Sequence, residues 1–305
     1  MNPNDLHLLP LGTQVVTRTA VHTPSGEITR PTGSVGVVLQ LPADLQHAYR
    51  IQFPDGREQT FLRRDLEVRK QHQTPDLPEA PDWTQWVQYR CIVGSRAFGL
   101  ETGDSDTDRR GFYLAPADRH WSLWGLPEQL ENEATQETYW ELQKFLTLAL
   151  KANPNVLECL YTPLIETASP IAEELLSMRG AFLSTLVYQT YNGYVLSQFK
   201  KLDADLRNHG EIRWKHAMHL IRLLLSGIAV VERGEVSVHV GEHRESLLAV
   251  KRGEMPWAEV NAWRLDLHAR FDRALTRTTL PERPDYGRVN AFLLRARRTM
   301  LDVSV

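Results

Sequence analysis

Gly94-Ser95-Arg96-Ala97-Phe98-Gly99-Leu100-Glu101-Thr102-Gly103-Asp104-Ser105-Asp106-Thr107-Asp108 is the stretch on which the reading of this chain turns. It follows an apolar run, Tyr89 to Val93, that reads as a short buried strand, and it precedes another, Gly111 to Leu114. A glycine at the bend lets the backbone come close to a neighbouring group, because no side chain stands in the way. Asp106 and Asp108 lie two apart at the expected start of the second strand. Residues two apart in a strand share a face, roughly 7 Å apart at about 3.3 Å per residue, so the two carboxylates can converge on one cation.

Carboxylates held together repel, at a cost of about 4 kcal/mol for a separation of about 4 Å and an effective dielectric near ~20. A hard divalent cation removes that repulsion, and Mg²⁺ prefers one or two carboxylates together with substrate phosphates. A glycine-serine turn that opens a helix offers backbone N–H groups to a phosphate. The combination describes metal-assisted phosphoryl transfer. The residues alone also fit a solvated acidic loop from Gly103 to Arg110.

Gly94-Ser95, a short helix and then Asp106-Thr107-Asp108 resembles the signature of the DNA polymerase β nucleotidyltransferase superfamily. The run from Gly94 to Leu114, followed by Tyr139-Trp140-Glu141-Leu142-Gln143-Lys144-Phe145 and Lys151-Ala152-Asn153-Pro154-Asn155-Val156-Leu157-Glu158, is similar to its bacterial and phage branch of predicted nucleotidyltransferases. The resemblance covers residues 88–165. It implies a polymerase-β-type α/β core that moves a nucleoside monophosphate from an NTP to a hydroxyl acceptor and releases pyrophosphate. By the same resemblance Asp106 and Asp108 hold two Mg²⁺ ions, for which Mn²⁺ can substitute. Gly94 and Ser95 cradle the β and γ phosphates, with Arg96 as an additional contact. Superfamily members place a third carboxylate on a neighbouring strand as general base. The candidates here are Glu137, favoured by strand placement, and Glu141, expected already inside the next helix. An acid is often expected one position earlier, where this chain has Gln136, so the third ligand stays open between the two.

The totals bound the rest. A chain of 305 residues predicts about two domains, with room for a small third. Its formal charge of −3 is uneven: residues 1–70 carry +1, residues 71–165 carry −7 and residues 166–305 carry +3. The acidic excess surrounds the expected metal site, and no basic stripe of a dedicated nucleic-acid binder is present. Cys91 and Cys159, both in apolar runs, read as core thiols of a reducing compartment. With no leader pattern at the N-terminus and no long apolar run, the expectation is a cytoplasmic protein with no membrane partner.

Residues 1–70 read as a small SH3-like β-barrel, with strand-like runs at Val15 to Val21, Ser34 to Leu41, His47 to Phe53 and Glu58 to Leu62. Turns at Pro24-Ser25-Gly26, Pro31-Thr32-Gly33 and Pro54-Asp55-Gly56 separate them. Arg50, Arg57, Arg63 and Arg64 could grip a phosphate backbone or simply face water. Pro75, Pro78 and Pro81 mark residues 71–82 as a linker. Residues 83–165 are expected to form the nucleotidyltransferase core, with an amphipathic helix carrying Leu142, Phe145, Leu146, Leu148 and Ala149 that Asn153-Pro154 stops, and a shorter helix following through Leu160.

Residues 166–305 read as a helical nucleotide- and substrate-binding domain. Helices are expected over Pro170 to Met178, Ala181 to Asp205, Arg213 to Val231, Ser246 to Lys251, Pro256 to Leu275 and Tyr286 to Leu301. In the third of these, Lys215, His219, Arg222 and Ser226 share one polar-to-basic face. Such a domain commonly closes over the nucleotide in this superfamily, which makes Lys215, His219 and Arg222 candidates to hold the triphosphate. A solvated face beside a core histidine is the other reading. His239-Val240-Gly241-Glu242-His243 fits the H-x-x-E-H zinc pattern, but Val236 to Val240 alternates like a strand and Gly241 disfavours the required helix.

The expected fold is therefore α+β and multidomain: SH3-like barrel, polymerase-β-type core and helical domain. The expected partners are an NTP and, by the appended barrel, an RNA end. Two alternatives stand beside it: a non-catalytic RNA- or partner-binding protein on the same fold, and transfer to a protein side chain of the toxin–antitoxin type. The NTP base and the oligomeric state are not legible in the residues.

Overall fold

The structure, a computed structural model, describes residues 9–303 except 24, 26, 43–47, 70–80 and 104. Its internal contacts divide the chain into two units, Met1–Ala80 and Pro81–Val305.

In the first unit the alternating runs form strands β1 (Gln14–Thr17), β2 (Val21–His22), β3 (Ile28–Arg30), β4 (Val35–Gln40), β5 (Tyr49–Gln52), β6 (Glu58–Phe61) and β7 (Leu66–Val68). Five of them pair antiparallel in the order β6-β5-β4-β1-β7, and β2 and β3 form a separate ribbon. Val15, Val38, Tyr49, Ile51, Phe61 and Leu66 make its core. Among the described residues no pairing joins β6 to β7, so the ladder is open and the closed barrel expected from turn spacing is not observed. The Pro24-Ser25-Gly26 turn, the start of the His47 run and the linker up to Ala80 fall wholly or partly outside the described residues. Of the four arginines, Arg50 stands 3.6 Å from Glu58, and Arg63 donates to the Leu66 carbonyl at 2.9 Å.

The second unit is built on the sheet β10-β11-β9-β8-β12, with β8 (Val87–Val93), β9 (Asp108–Tyr113), β10 (Gln129–Asn132), β11 (Glu137–Glu141) and β12 (Ile165–Ala168). Its helices are α1 (Gly94–Phe98), α2 (Ala117–Trp121), α3 (Leu142–Leu150), α4 (Pro154–Tyr161), α5 (Pro170–Ser177), α6 (Leu186–His209), α7 (Trp214–Arg233), α8 (Arg244–Arg252), α9 (Trp257–Leu275) and α10 (Tyr286–Arg298). Only β9 and β11 run parallel; the other neighbours are antiparallel. β12 carries no apolar alternation and was not expected; it is held by its pairing with β8.

Register sets the two faces. Val93 lies opposite Asp108, Cys91 opposite Arg110 and Tyr89 beside Phe112, so these side chains share one face. That face meets the helices: Phe112 packs on Phe145 of α3 with ring centroids 5.2 Å apart, and the Tyr89 hydroxyl donates to the Cys159 carbonyl of α4 at 2.7 Å. Arg109 and Glu166 pair on the reverse face at 2.9 Å. α4 starts where its sequence says it should: Asn153 accepts from the Asn155 and Val156 amides, and Pro154 fills the first turn. Cys91 and Cys159 are buried free thiols.

The apolar stripe of α7 (Leu220, Ile221, Leu224, Ile228) is buried, as its period predicts. Gly227 allows the helix crossing there, since a Cβ would stand 2.8 Å from Phe271 of α9 and 2.9 Å from Tyr191 of α6. One continuous core includes Phe112, Phe145, Tyr191, Leu224 and Phe271, on both sides of residue 165. Val236 to Val240 forms no strand; a 3₁₀ turn at Gly241–His243 runs directly into α8, which has no side-chain cap. Among the described residues no helix is long and apolar enough to cross a membrane.

Candidate active site

β8 hands the chain directly to α1, and Gly94 makes the turn with φ of +69°. A Cβ at this position would lie closer than 3.0 Å to the Asp108 carboxylate. The bend and the acid are therefore in direct apposition, with no room for a side chain between them. Asp108 is the first residue of β9, whereas Asp106 precedes the strand in the connecting loop. The expectation that both acids belong to the strand is corrected, although both line one cavity of about 270 Å³. Arg96 does not line it. Its guanidinium donates to the Ser105 carbonyl at 3.1 Å, while Ser105 Oγ accepts from the Thr102 amide at 2.8 Å, and these bonds shape the loop carrying Asp106.

The helices close the other side. Lys215 and His219 from α7 and Lys251 from α8 face Gly94, Ser95, Asp106 and Asp108 across that cavity. A larger lobe of about 650 Å³ shares Gly94, Phe98, Asp108 and His219 and continues past Arg110, Lys151, Asn155 and Tyr194. Among the described residues Asp106 has no hydrogen-bond or ionic partner, and neither Lys215 nor Lys251 has a carboxylate partner. Burial and the charges of Arg222 and Lys215 push the His219 imidazole down to about 4, so it is neutral at pH 7.

Two expected residues stand elsewhere, and a third is held by an interior partner. Glu137 pairs across from Arg109, on the face opposite Asp108, and accepts from the Tyr139 hydroxyl at 3.0 Å. Glu141 lies at the far end of β11, opposite Tyr113, where it caps α3 by accepting from the Gln143 amide at 2.7 Å. It ends the strand instead of entering the helix, and burial raises its carboxyl above the ordinary value. Neither glutamate is brought to the Asp106–Asp108 pair. Arg222 is buried and bonds to buried Glu158 at 2.7 Å, with its guanidinium 3.6 Å above the Phe98 ring. Its charge is taken up by Glu158, although the side chain still lines the larger lobe that Asp108 and His219 share.

The paired acids are oxygen donors, and the Ser95, Thr102 and Ser105 hydroxyls and the neutral His219 imidazole line the same cavity. The carboxylates fit a hard divalent cation. Among the described residues no group of three or more His, Cys, Asp and Glu side chains is placed to hold a metal ion. His239 precedes the 3₁₀ turn Gly241–His243 and its Nδ1 accepts from the Gly241 amide at 3.0 Å, so the H-x-x-E-H run does not lie on one helix.

Sequence reasoning missed Lys251, Lys151 and Arg110 as site residues. Lys151 stood in a quoted motif block without a role, and Arg110 adjoins the acids; Lys251 carried no local signal because only the packing of α8 on α7 brings it in.

In comparison with known proteins, the family model described as RNA repair pathway DNA polymerase beta family (RlaP) matches residues 65–295. The "Uncharacterized protein YcgL" of Bacillus subtilis (strain 168) is 32% identical over 97 residues, which span 30% of this chain and 37% of that protein. No solved structure matches the chain.

Proposed function

This chain belongs to the RNA repair pathway DNA polymerase beta family, and on that premise we propose that it transfers a nucleoside monophosphate from an NTP to an RNA acceptor, with pyrophosphate leaving. The observation that carries the reading is the set of charges around the smaller cavity: on one wall Asp106, without a partner among the described residues, and Asp108, whose contact with Arg110 is 3.4 Å; on the other Lys215 and Lys251. Uncompensated acids and bases held apart in one cavity are unfavourable on their own and become favourable around a ligand that carries both signs. A magnesium–triphosphate complex is such a ligand.

In this reading Asp106 and Asp108 hold Mg²⁺, with Mn²⁺ able to replace it. When bound, the metal supplies charge stabilisation at the reacting phosphate and at the leaving group. Ser95 and the first amides of α1 donate to the phosphates, with Gly94 keeping that approach open. Lys215 and Lys251 hold the β and γ phosphates and balance the charge that accumulates as pyrophosphate departs. His219, being neutral, orients the nucleotide through a hydrogen bond and adds no charge. The acceptor enters through the larger lobe, so that attacking and leaving oxygens lie on opposite sides of the α phosphorus.

The test is incubation of the full chain with α-labelled NTPs, Mg²⁺ or Mn²⁺ and a pool of RNAs. Label should appear in RNA and disappear with Asp106→Ala. Equal labelling by wild type and variant would overturn the reading.

A further inference from the structure

A further cavity, of about 120 Å³, shares Arg222 with the larger lobe but takes in neither of the paired acids. Arg222, Ser226 and Arg233 lie on one face of α7, at helical offsets of 0, 4 and 11, and line it together. His239, Val240, Glu242 and His243, from the loop before α8, supply another wall. That loop is fastened to α1, because the Val240 amide donates to the Phe98 carbonyl at 3.0 Å. Arg222 is 8% exposed and Ser226 3%. Arg222 Nη1 is taken by Glu158, but Arg222 Nε and the Ser226 hydroxyl have no hydrogen-bond partner among the described residues. Buried donors of this kind are unfavourable until a water or a ligand completes them.

The other groups on the wall narrow the choice. Arg270 is taken by Glu232 through two bonds, at 3.0 and 2.6 Å. Arg233 stands 4.0 Å from Glu235, beyond hydrogen-bond reach, so its fork is open. Glu242, the acid on this wall among the described residues, keeps 90% of its side chain exposed, and water screens its charge. His239 Nδ1 already accepts from the Gly241 amide, and the Ser237 hydroxyl donates to the His239 carbonyl at 3.3 Å. What remains is a set of donors: Arg222 Nε, the Ser226 hydroxyl and the Arg233 fork. Donors without acceptors match a ligand that only accepts, and a guanidinium fork matches two oxygens of an oxyanion. The cavity has room for a small polyatomic ion. It falls well below the roughly 300 Å³ at which pockets for drug-sized ligands begin, so it does not take a nucleotide. We propose that this cavity is a second anion site, which takes one phosphate group on Arg222 Nε, the Ser226 hydroxyl and the Arg233 guanidinium. Arg222 also holds Glu158 of α4 and covers Phe98 of α1, so the bound phosphate would complete the junction of α7 with both helices. Such a site needs no transfer chemistry and can exist without it.

The experiment titrates the full chain, without metal, with inorganic phosphate and separately with a diribonucleotide bearing a 5′-phosphate, against chloride at matched ionic strength. Calorimetry reads the affinity and thermal unfolding reads the stabilisation. Phosphate should bind in the millimolar range or tighter and raise Tm, and chloride should do neither. Ser226→Ala should weaken that binding about tenfold, while the unliganded protein unfolds at an unchanged or higher temperature, because an unpartnered hydroxyl has been removed. Arg233→Gln, at an exposed position, should also weaken it about tenfold. The double variant Lys215→Ala and Lys251→Ala should leave the phosphate affinity in place, which separates this site from the cavity of the paired acids. Binding of inorganic phosphate alone upholds the site for the free ion; binding of the dinucleotide as well upholds it for the end of a strand. Absence of phosphate binding overturns the proposal, and so does unchanged affinity in Ser226→Ala or in Arg233→Gln. Binding that disappears with the two lysines overturns it too, whatever Asp106→Ala does to nucleotidyl transfer.

Discussion

Position 94 is dictated from across the bend, because the Asp108 carboxylate occupies the space a side chain would need. Gly94→Ala meets two penalties: an L-residue at φ of +69°, worth about 1–2 kcal/mol, and displacement of Asp108. The expected result is a loss of about 1–2 kcal/mol in urea unfolding, with nucleotidyl transfer falling by a larger factor than stability explains. Asp106→Asn and Asp108→Asn should each lower transfer by about 100-fold or more while leaving the unfolding midpoint nearly unchanged, since both acids are solvent-accessible and neither is bonded into the core. A variant pair that unfolds early but transfers label normally would contradict this assignment.

At the scale of elements, α7 is joined to α4 by an interior ion pair. Arg222 of α7 reaches Glu158 of α4 and covers Phe98 of α1, the short helix that opens with Gly94 and Ser95. The helix bearing Lys215 and His219 and the helix bearing the bend are thus fixed against one another. Arg222→Met leaves Glu158 buried without a partner and should destabilise the protein by about 3–5 kcal/mol. Adding Glu158→Gln should recover part of that loss, because removing both charges costs less than removing one. A double-mutant cycle by urea unfolding reads the coupling; strict additivity would show that the pair is not one unit.

At the scale of the whole molecule, buried imidazoles of the second unit make stability depend on pH. Burial, aided by Arg222 and Lys215, takes His219 down to about 4, and burial beside Arg297 takes His120 to about 4, against an ordinary 6.5. His216 and His268 are lowered too, each mainly by burial. Unfolding releases these rings to titrate near 6.5, so between about 6.5 and about 4 the unfolded chain binds more protons than the folded one. Their contribution is present above 6.5 and is lost as pH falls through that window. The raised carboxyl of Glu141 opposes them, since it favours the folded state below its own pKa. Unfolding free energy should fall from pH 7 to pH 5, with a shallower slope in His219→Gln. A slope that is identical in the variant would show that this ring is not the group responsible.

Local pattern was enough to find the glycine-serine bend, the acid pair, the strands β8 and β9 and the period of α7, because each depends on neighbours a few residues away. It was also enough to connect residues 88–165 with polymerase-β-type enzymes, a resemblance that the family match over residues 65–295 supports. It was not enough for Glu137, whose side chain changes faces with a one-residue difference in strand phase, and phase is set by the β9–β11 ladder. Helical spacing put Arg222 on an outward row, but Glu158 and Phe98, distant in the chain, draw it into the interior. Lys251 and the open ladder of the first unit belong to the same class: each depends on which distant segments meet, and no pattern confined to one segment encodes that.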